Sequence, residues 1–185
     1  FGDSQTQIPV VNDTADEPVL DQVPEFPTAE SSVAEIPSST SGGMDVGDKA
    51  LNFTLADLDG TPVSLNDFRG QPVIINFWAS WCAPCRIEMP ELQKAYETYQ
   101  DDGLVILALN EDEPVDVARD YFVGEMGLTF TALLDDNSAI ATALGNFGTL
   151  PTTFFVDPEG TITVIHRGPM TFGQIEDYLA ETISG

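Results

Sequence analysis

The chain has 185 residues, with 31 acidic against 6 basic side chains and a formal net charge of −25. That length suits one good hydrophobic core and hardly two, and the acid excess argues against nucleic acid or an anionic membrane surface as a partner, because phosphate contacts need lysine and arginine. Two cysteines and one histidine are too few for a disulfide framework or a four-ligand structural zinc site, and no apolar run approaches membrane-spanning length.

Residues 1–45 carry nine acids, no base and scattered proline and serine, including the run Ser38-Ser39-Thr40-Ser41-Gly42-Gly43. No apolar periodicity persists there, so the segment cannot bury enough surface to offset its ordering entropy; it reads as a disordered, self-repelling linker or as a ragged terminus. The chain opens on Phe1, not Met, which leads us to expect that a leader or anchor has been removed ahead of it. Lys49 and Lys94 are the only lysines, so the acidic bias extends beyond the tail. It fits solubility, basic partners, or a salty or extracytoplasmic setting.

The folded domain is expected from about Met44, with its body at 46–185. Phe53–Ala56 and Pro62–Leu65 flank Asp57-Leu58-Asp59-Gly60 and predict a hairpin. Residues 66–70 predict a helical turn, and the apolar run Val73–Trp78 a buried strand. A helix follows from about Pro84 to Tyr99, with Met89, Leu92, Tyr96 and Tyr99 at helical spacing and a bend expected at Pro90. Leu104–Leu109 reads as the next buried strand, Asn110–Glu113 as a loop, and Pro114–Met126 as a helix with proline in its first turn. Phe130–Leu134 predicts a short strand, Asn137–Leu144 a short helix ending at Gly145, and Thr152–Val156 a strand. Asp157-Pro158-Glu159-Gly160 turns the chain into Ile162–His166. Thr171 caps a last helix carrying Ile175, Leu179 and Ile183 on one stripe. The order describes an α/β domain with a mixed central sheet flanked by helices on both faces.

The two cysteines sit two residues apart in Trp81-Cys82-Ala83-Pro84-Cys85-Arg86, directly after the apolar strand. Cys82 would lie where a strand ends and a helix begins, and unpaired N–H groups at a helix N-terminus favour a thiolate. Cys85 follows one turn on, within disulfide reach. The stretch reads as a thiol–disulfide exchange site. Arg86 stands where haem attachment would need histidine, which excludes that motif, and its charge is expected to favour the thiolate slightly.

The segment Phe77–Cys85, the run Thr149-Leu150-Pro151-Thr152-Thr153-Phe154 and the Asp157–Gly160 turn together resemble the thioredoxin superfamily. More narrowly they resemble its TlpA/ResA-like, AhpC/TSA-type branch of extracytoplasmic thiol–disulfide oxidoreductases, over about residues 46–183. The opening hairpin and the strand and helix around 104–126 look like that branch's additions to the minimal thioredoxin fold. The resemblance implies a domain held outside the cytoplasm by an N-terminal signal or anchor. It also implies a reducing function on exported disulfide-bearing clients, apocytochrome c among them, with a membrane or soluble dithiol as electron donor. No cofactor is implied beyond the Cys82–Cys85 couple, and neither nucleic acid nor a membrane span in this chain.

On this resemblance Cys82 attacks the client and Cys85 resolves the mixed disulfide. Pro151 is expected to be cis and to pack against the two sulfurs, with Thr149, Leu150, Trp81, Ala83 and Pro84 lining the client groove, where an extended peptide could pair. Glu88, one turn beyond Cys85, matches a buried glutamate of ResA-like proteins thought to assist proton transfer to the resolving thiol. Thioredoxin itself carries a buried aspartate six residues before its first cysteine; here that position is Asn76, which cannot titrate. Trp78 is expected in the core. Asn110 and Glu111 could shape the groove, and His166 reads as a partly exposed strand-end residue. Four rivals stay open. A disulfide-donating oxidase would use the same residues. A peroxiredoxin would need a Thr/Ser-x-x-Cys context that Ala79-Ser80-Trp81-Cys82 does not supply. Copper delivery would need a CxxxC spacing. A noncatalytic binding domain would tolerate loss of both cysteines.

Overall fold

A computed structural model describes residues 43–146 and 148–184; up to position 42, the segment read as a linker lies outside the described residues. Val73–Trp78 forms β3, buried at every position, as befits a strand with neighbours on both edges and layers on both faces. It anchors a five-stranded sheet of order β5-β4-β3-β6-β7, made with β4 (Val105–Glu111), β5 (Thr131–Asp135), β6 (Thr152–Val156) and β7 (Ile162–Arg167). β3, β4 and β5 run parallel, β6 pairs antiparallel with β3, and β7 pairs antiparallel with β6. The mixed sheet expected from the sequence is the observed one.

Alternation along β3 divides its side chains between two layers. Ile74 and Trp78 face a cluster with Cys85, Met89 and Leu92 of α1 (Ala83–Tyr99) and with Ile175 and Leu179 of α4 (Phe172–Ser184). Ile75 and Phe77 face the opposite cluster, with Phe53, Leu65 and, from α3 (Ala139–Ala143), Ala141. Asn76 falls on the first face, between Ile74 and Trp78, and so points its amide at α1. The hairpin β1 (Thr54–Ala56) and β2 (Pro62–Ser64) lies beside the second layer. The segment before it pairs with the start of β7: Gly47 N–H donates to Ile162 O, Ile162 N–H to Asp48 O and Ala50 N–H to Gly160 O. Asp57, just after β1, makes an isolated bridge to Leu133 on β5. This stretch therefore crosses one layer from one edge strand to the other.

Several boundaries differ from the sequence reading. β4 continues through Asn110 and Glu111, which were expected in a loop. A strand between two partners keeps its ladder, and Asn110 pairs with Trp78 on one side and Leu134 on the other. α1 is continuous through the exposed Pro90. The predicted helix at 114–126 is an α-helical turn, α2 (Val115–Arg119), that widens into a π-helical turn over Asp120–Glu125. The wider turn stacks Tyr121 and Phe122 on Trp78, with ring centroids 5.6 and 5.3 Å away. α3 begins at Ala139, because Asp135 accepts the Ile140 and Ala141 N–H groups at 2.9 Å while Asn137 and Ser138 take left-handed backbone angles. On α4 the stripe runs Ile175, Leu179, Thr182, and Ile183 is 62% exposed. Thr182 suits the buried place because its hydroxyl donates to Tyr178 O at 2.7 Å and so carries no unpaired donor inside.

Candidate active site

β3 ends at Trp78, Ala79–Trp81 turns the chain, and Cys82 is the N-cap of α1. Pro84 suits the first turn, where the N–H it lacks would have no helical partner. Cys82 and Cys85 are joined in a disulfide. The Cys85 N–H donates to Cys82 Sγ at 3.2 Å, which supplies to that sulfur the helix-terminus polarity expected from the sequence. Cys82 is 4% exposed and Cys85 fully buried, so the more accessible sulfur is that of Cys82. Trp81 is 70% exposed and Ala83 is exposed beside it, while Trp78 closes the floor beneath.

Glu88 lies one turn into α1 and is buried. Its Oε2 accepts from Asn76 Nδ2 at 2.8 Å and its Oε1 from the Met170 N–H at 3.2 Å. Asn76 Nδ2 also donates to Thr153 Oγ1 at 2.9 Å, whereas Asn76 Oδ1 is buried without a partner. No cation pairs with the carboxyl among these contacts. Burial raises its pKa from 4.5 to about 7, with the Asn76 and Met170 hydrogen bonds opposing that rise in part. Such a group exchanges a proton near neutral pH.

The Leu150–Pro151 peptide is cis. Antiparallel register pairs Phe77 with Thr152, so Pro151 stands level with Trp78, at the sheet end where the cysteines lie. Gly168 N–H donates to Pro151 O at 2.9 Å, and Thr152 Oγ1 to Thr149 O at 2.7 Å. Thr149 is exposed, Leu150 half-buried and Pro151 buried. The N-terminal cysteine turn and the Thr149–Pro151 loop thus come to one end of the sheet from elements far apart in sequence.

Three expectations need correction or refinement. Arg86 forms an ion pair with Glu125 and lies over the Tyr121 ring, 5.2 Å from its centroid; its charge is shared with that carboxylate and does not stand free for the thiolate. Glu111 does not reach this end of the site on the cysteine face. It follows Asn110 on the strand and so points to the opposite layer, where it accepts from Asn146 Nδ2 at 3.1 Å. Burial and the neighbouring Asp135 raise its pKa to about 7. Asn110 does face the cysteine side, but is fully buried and serves as a support. His166 sits part-exposed in β7, 3.3 Å from the Tyr178 hydroxyl.

Glu113 went unnoticed in the sequence. Its carboxylate accepts from the Ser80 N–H at 2.7 Å, the Ser80 hydroxyl at 2.5 Å and Asn110 Nδ2 at 2.7 Å. Parallel pairing of β3 with β4 brings the loops that follow them side by side, and adjacency of strands is what a linear pattern does not carry. The backbone of Met170 was likewise invisible as a partner of Glu88. Among the described residues no cluster of three or more His, Cys, Asp or Glu side chains is arranged to hold a metal ion. The redox pair is supplied by the protein itself.

Comparison with known proteins agrees with this geometry. The AhpC/TSA family profile matches residues 46–165. The thiol–disulfide oxidoreductase ResA of Geobacillus thermodenitrificans is 41% identical over 134 residues, covering 72% of this chain and 76% of the relative. StoA from Bacillus subtilis superposes with a TM-score of 0.61 at 28% identity, over 70% of this chain and 97% of StoA. A Chlorobium tepidum structure described as the thiol:disulfide interchange protein DsbE gives 0.69 at 29% identity, over 75% and 97% of the two chains. With a redox disulfide at the head of α1, a buried glutamate behind it and these relatives, the chain belongs to the AhpC/TSA family, as a TlpA/ResA-like thiol–disulfide oxidoreductase of thioredoxin fold.

Proposed function

We propose that this chain works outside the cytoplasm as a reductant of disulfides in exported client proteins, with apocytochrome c as a candidate client and a dithiol protein as its electron donor. In the reduced protein the Cys82 thiolate attacks one client sulfur; a mixed disulfide forms and the first client thiolate leaves and takes a proton from water. Glu88 receives the Cys85 proton, and the Cys85 thiolate attacks Cys82 Sγ. The second client thiolate departs and is protonated as Glu88 gives up the proton it took, and the Cys82–Cys85 disulfide remains; the proton taken by the first client thiolate matches the one Cys82 released on ionising. One client disulfide becomes two thiols as two protein thiols become one disulfide, so electrons and protons balance. Trp81, Ala83, Pro84, Thr149 and Leu150 form the client groove beside Pro151.

The observation that carries this reading is the placement of Glu88: a buried carboxyl with a pKa of about 7 on the helix that bears Cys85, one turn away. A base for the resolving thiol should take a proton at working pH. The deciding measurement is the reduction potential of the Cys82–Cys85 couple, equilibrated against glutathione or dithiothreitol and read by tryptophan fluorescence. A potential near or below roughly −250 mV fits a reductant, whereas one near roughly −120 mV makes the chain a disulfide donor and ends the reductase reading.

A further inference from the structure

The geometry points to Glu113 as a positioning residue that fixes the Ser80–Cys82 turn, and through it the line of attack of Cys82 on a client disulfide. β3 ends at Trp78 opposite Asn110, one residue before the end of β4, and the loops that follow run alongside each other. Glu113 Oε2 takes both the Ser80 N–H and Asn110 Nδ2, and Oε1 takes the Ser80 hydroxyl. Asn110 Oδ1 in turn accepts the Glu113 N–H at 3.3 Å, and Asn110 is fully buried. The clamp is therefore rooted in the sheet and grips the turn at its middle.

The turn's other restraints lie at its ends. Ala79 is buried, and the Cys82 N–H donates back to Ala79 O at 3.1 Å. Without Glu113, Ser80 and the exposed Trp81 keep no side-chain anchor among the described contacts. A half-buried Ser80 could have its polar groups met by water, so satisfaction alone does not require a two-oxygen grip from a separate strand connection. Charge-assisted hydrogen bonds of this kind are short and directional. Disulfide exchange needs the attacking sulfur in line with the bond that breaks, and small misplacements of a reacting group cost large factors in rate. Glutamine in place of Glu113 keeps the shape: its carbonyl can accept from the Ser80 N–H and Asn110 Nδ2 while its NH2 donates to a rotated Ser80 hydroxyl, but the charge that strengthens the grip is gone. It should hold the turn in part.

The inference rests on Cys82 being the attacking thiol. The test uses the full chain, reduced, in single turnover with insulin as the disulfide substrate, for wild type, Glu113→Ala, Glu113→Gln, Ser80→Ala and the Ser80→Ala/Glu113→Ala pair. Glu113→Ala should lower the limiting rate about tenfold with the half-saturation concentration little changed. Glu113→Gln should recover at least a third of the wild-type rate, and the double variant should be no slower than Glu113→Ala, because the hydroxyl contact that Ser80→Ala removes is already lost with Glu113. A limiting rate per folded molecule within twofold of wild type, or losses that multiply in the double variant, overturns the positioning role. Should Glu113→Ala fail to fold, Ser80→Ala decides: it removes one of the two Ser80 contacts and should lower the limiting rate about threefold, and a rate within twofold of wild type overturns the role as well. Peptide mapping after a brief iodoacetamide pulse separates the underlying assumption, since first labelling at Cys85 would refute the assignment of Cys82 as nucleophile and with it this inference.

Discussion

Replacing Glu88 by glutamine should make the oxidised protein more stable at alkaline pH and leave it nearly unchanged in acid. Burial raises the carboxyl from 4.5 to about 7, so between those values the folded chain holds a proton that the unfolded chain releases. Stability from this group is complete below about pH 4.5 and is lost as pH rises through 7. At about 1.4 kcal/mol per pH unit across the interval from 4.5 to about 7, the loss amounts to about 3 kcal/mol and changes little at higher pH. Glutamine never ionises. Its carbonyl can accept the Met170 N–H, and rotation of Asn76 would turn the unpartnered Oδ1 toward the new amide and the Thr153 hydroxyl. Urea unfolding of both proteins with the disulfide intact, from pH 5 to pH 9, gives the difference in stability at each pH. Glu111 and all other acids are common to both proteins and cancel in that difference. A difference that is flat across the range would refute the claim that Glu88 ionises inside the fold at a cost.

Asn76→Asp should place a second carboxyl within hydrogen-bonding distance of Glu88 and remove the donor to Thr153; a loss on the order of 2–3 kcal/mol at pH 8, shrinking toward pH 5, is expected in the same unfolding assay. Phe122→Ala should cost about 3–5 kcal/mol by chemical denaturation, since Phe122 is fully buried against Trp78 and Phe130. Trp81→Ala should change stability by less than about 0.5 kcal/mol, as an exposed side chain does. Its cost should appear instead as slower reduction of a protein disulfide relative to a small aromatic disulfide, measured side by side.

Much of the site was legible because its chemistry is written locally. Cys82, Ala83, Pro84 and Cys85 are contiguous, the strand before them is uniformly apolar, and Glu88 is one helical turn away, so a linear reading brings them together. The fold was legible for a related reason: strands and helices alternate with clear periods, and turn residues separate them. What escaped depends on contacts between distant segments. Glu113 has no local signal, since its meaning comes from β4 lying beside β3. The continuation of β4 through Asn110 and Glu111 was hidden because polar residues ordinarily signal a loop, and only a two-sided ladder overrides that preference. Thr182 displaced Ile183 from the buried stripe because helical phase and a satisfied hydroxyl outweigh apolar character at a chain end. Arg86 was read by its nearness in sequence to Cys85, whereas its partner Glu125 comes from the π-helical turn.

The segment from Gly47 to Asp57 touches both outer strands, meeting β7 at Ile162 and β5 at Leu133. Outer strands present unpaired N–H and C=O groups that can recruit another chain and seed aggregation. By occupying part of each border, this segment limits the places where a second molecule could add a strand, and the acidic charge repels a second copy of the chain from the remainder. Removal of residues ahead of β1 would therefore do more than shorten the chain. It would uncover the start of β7 and turn a protected rim into a template for self-association.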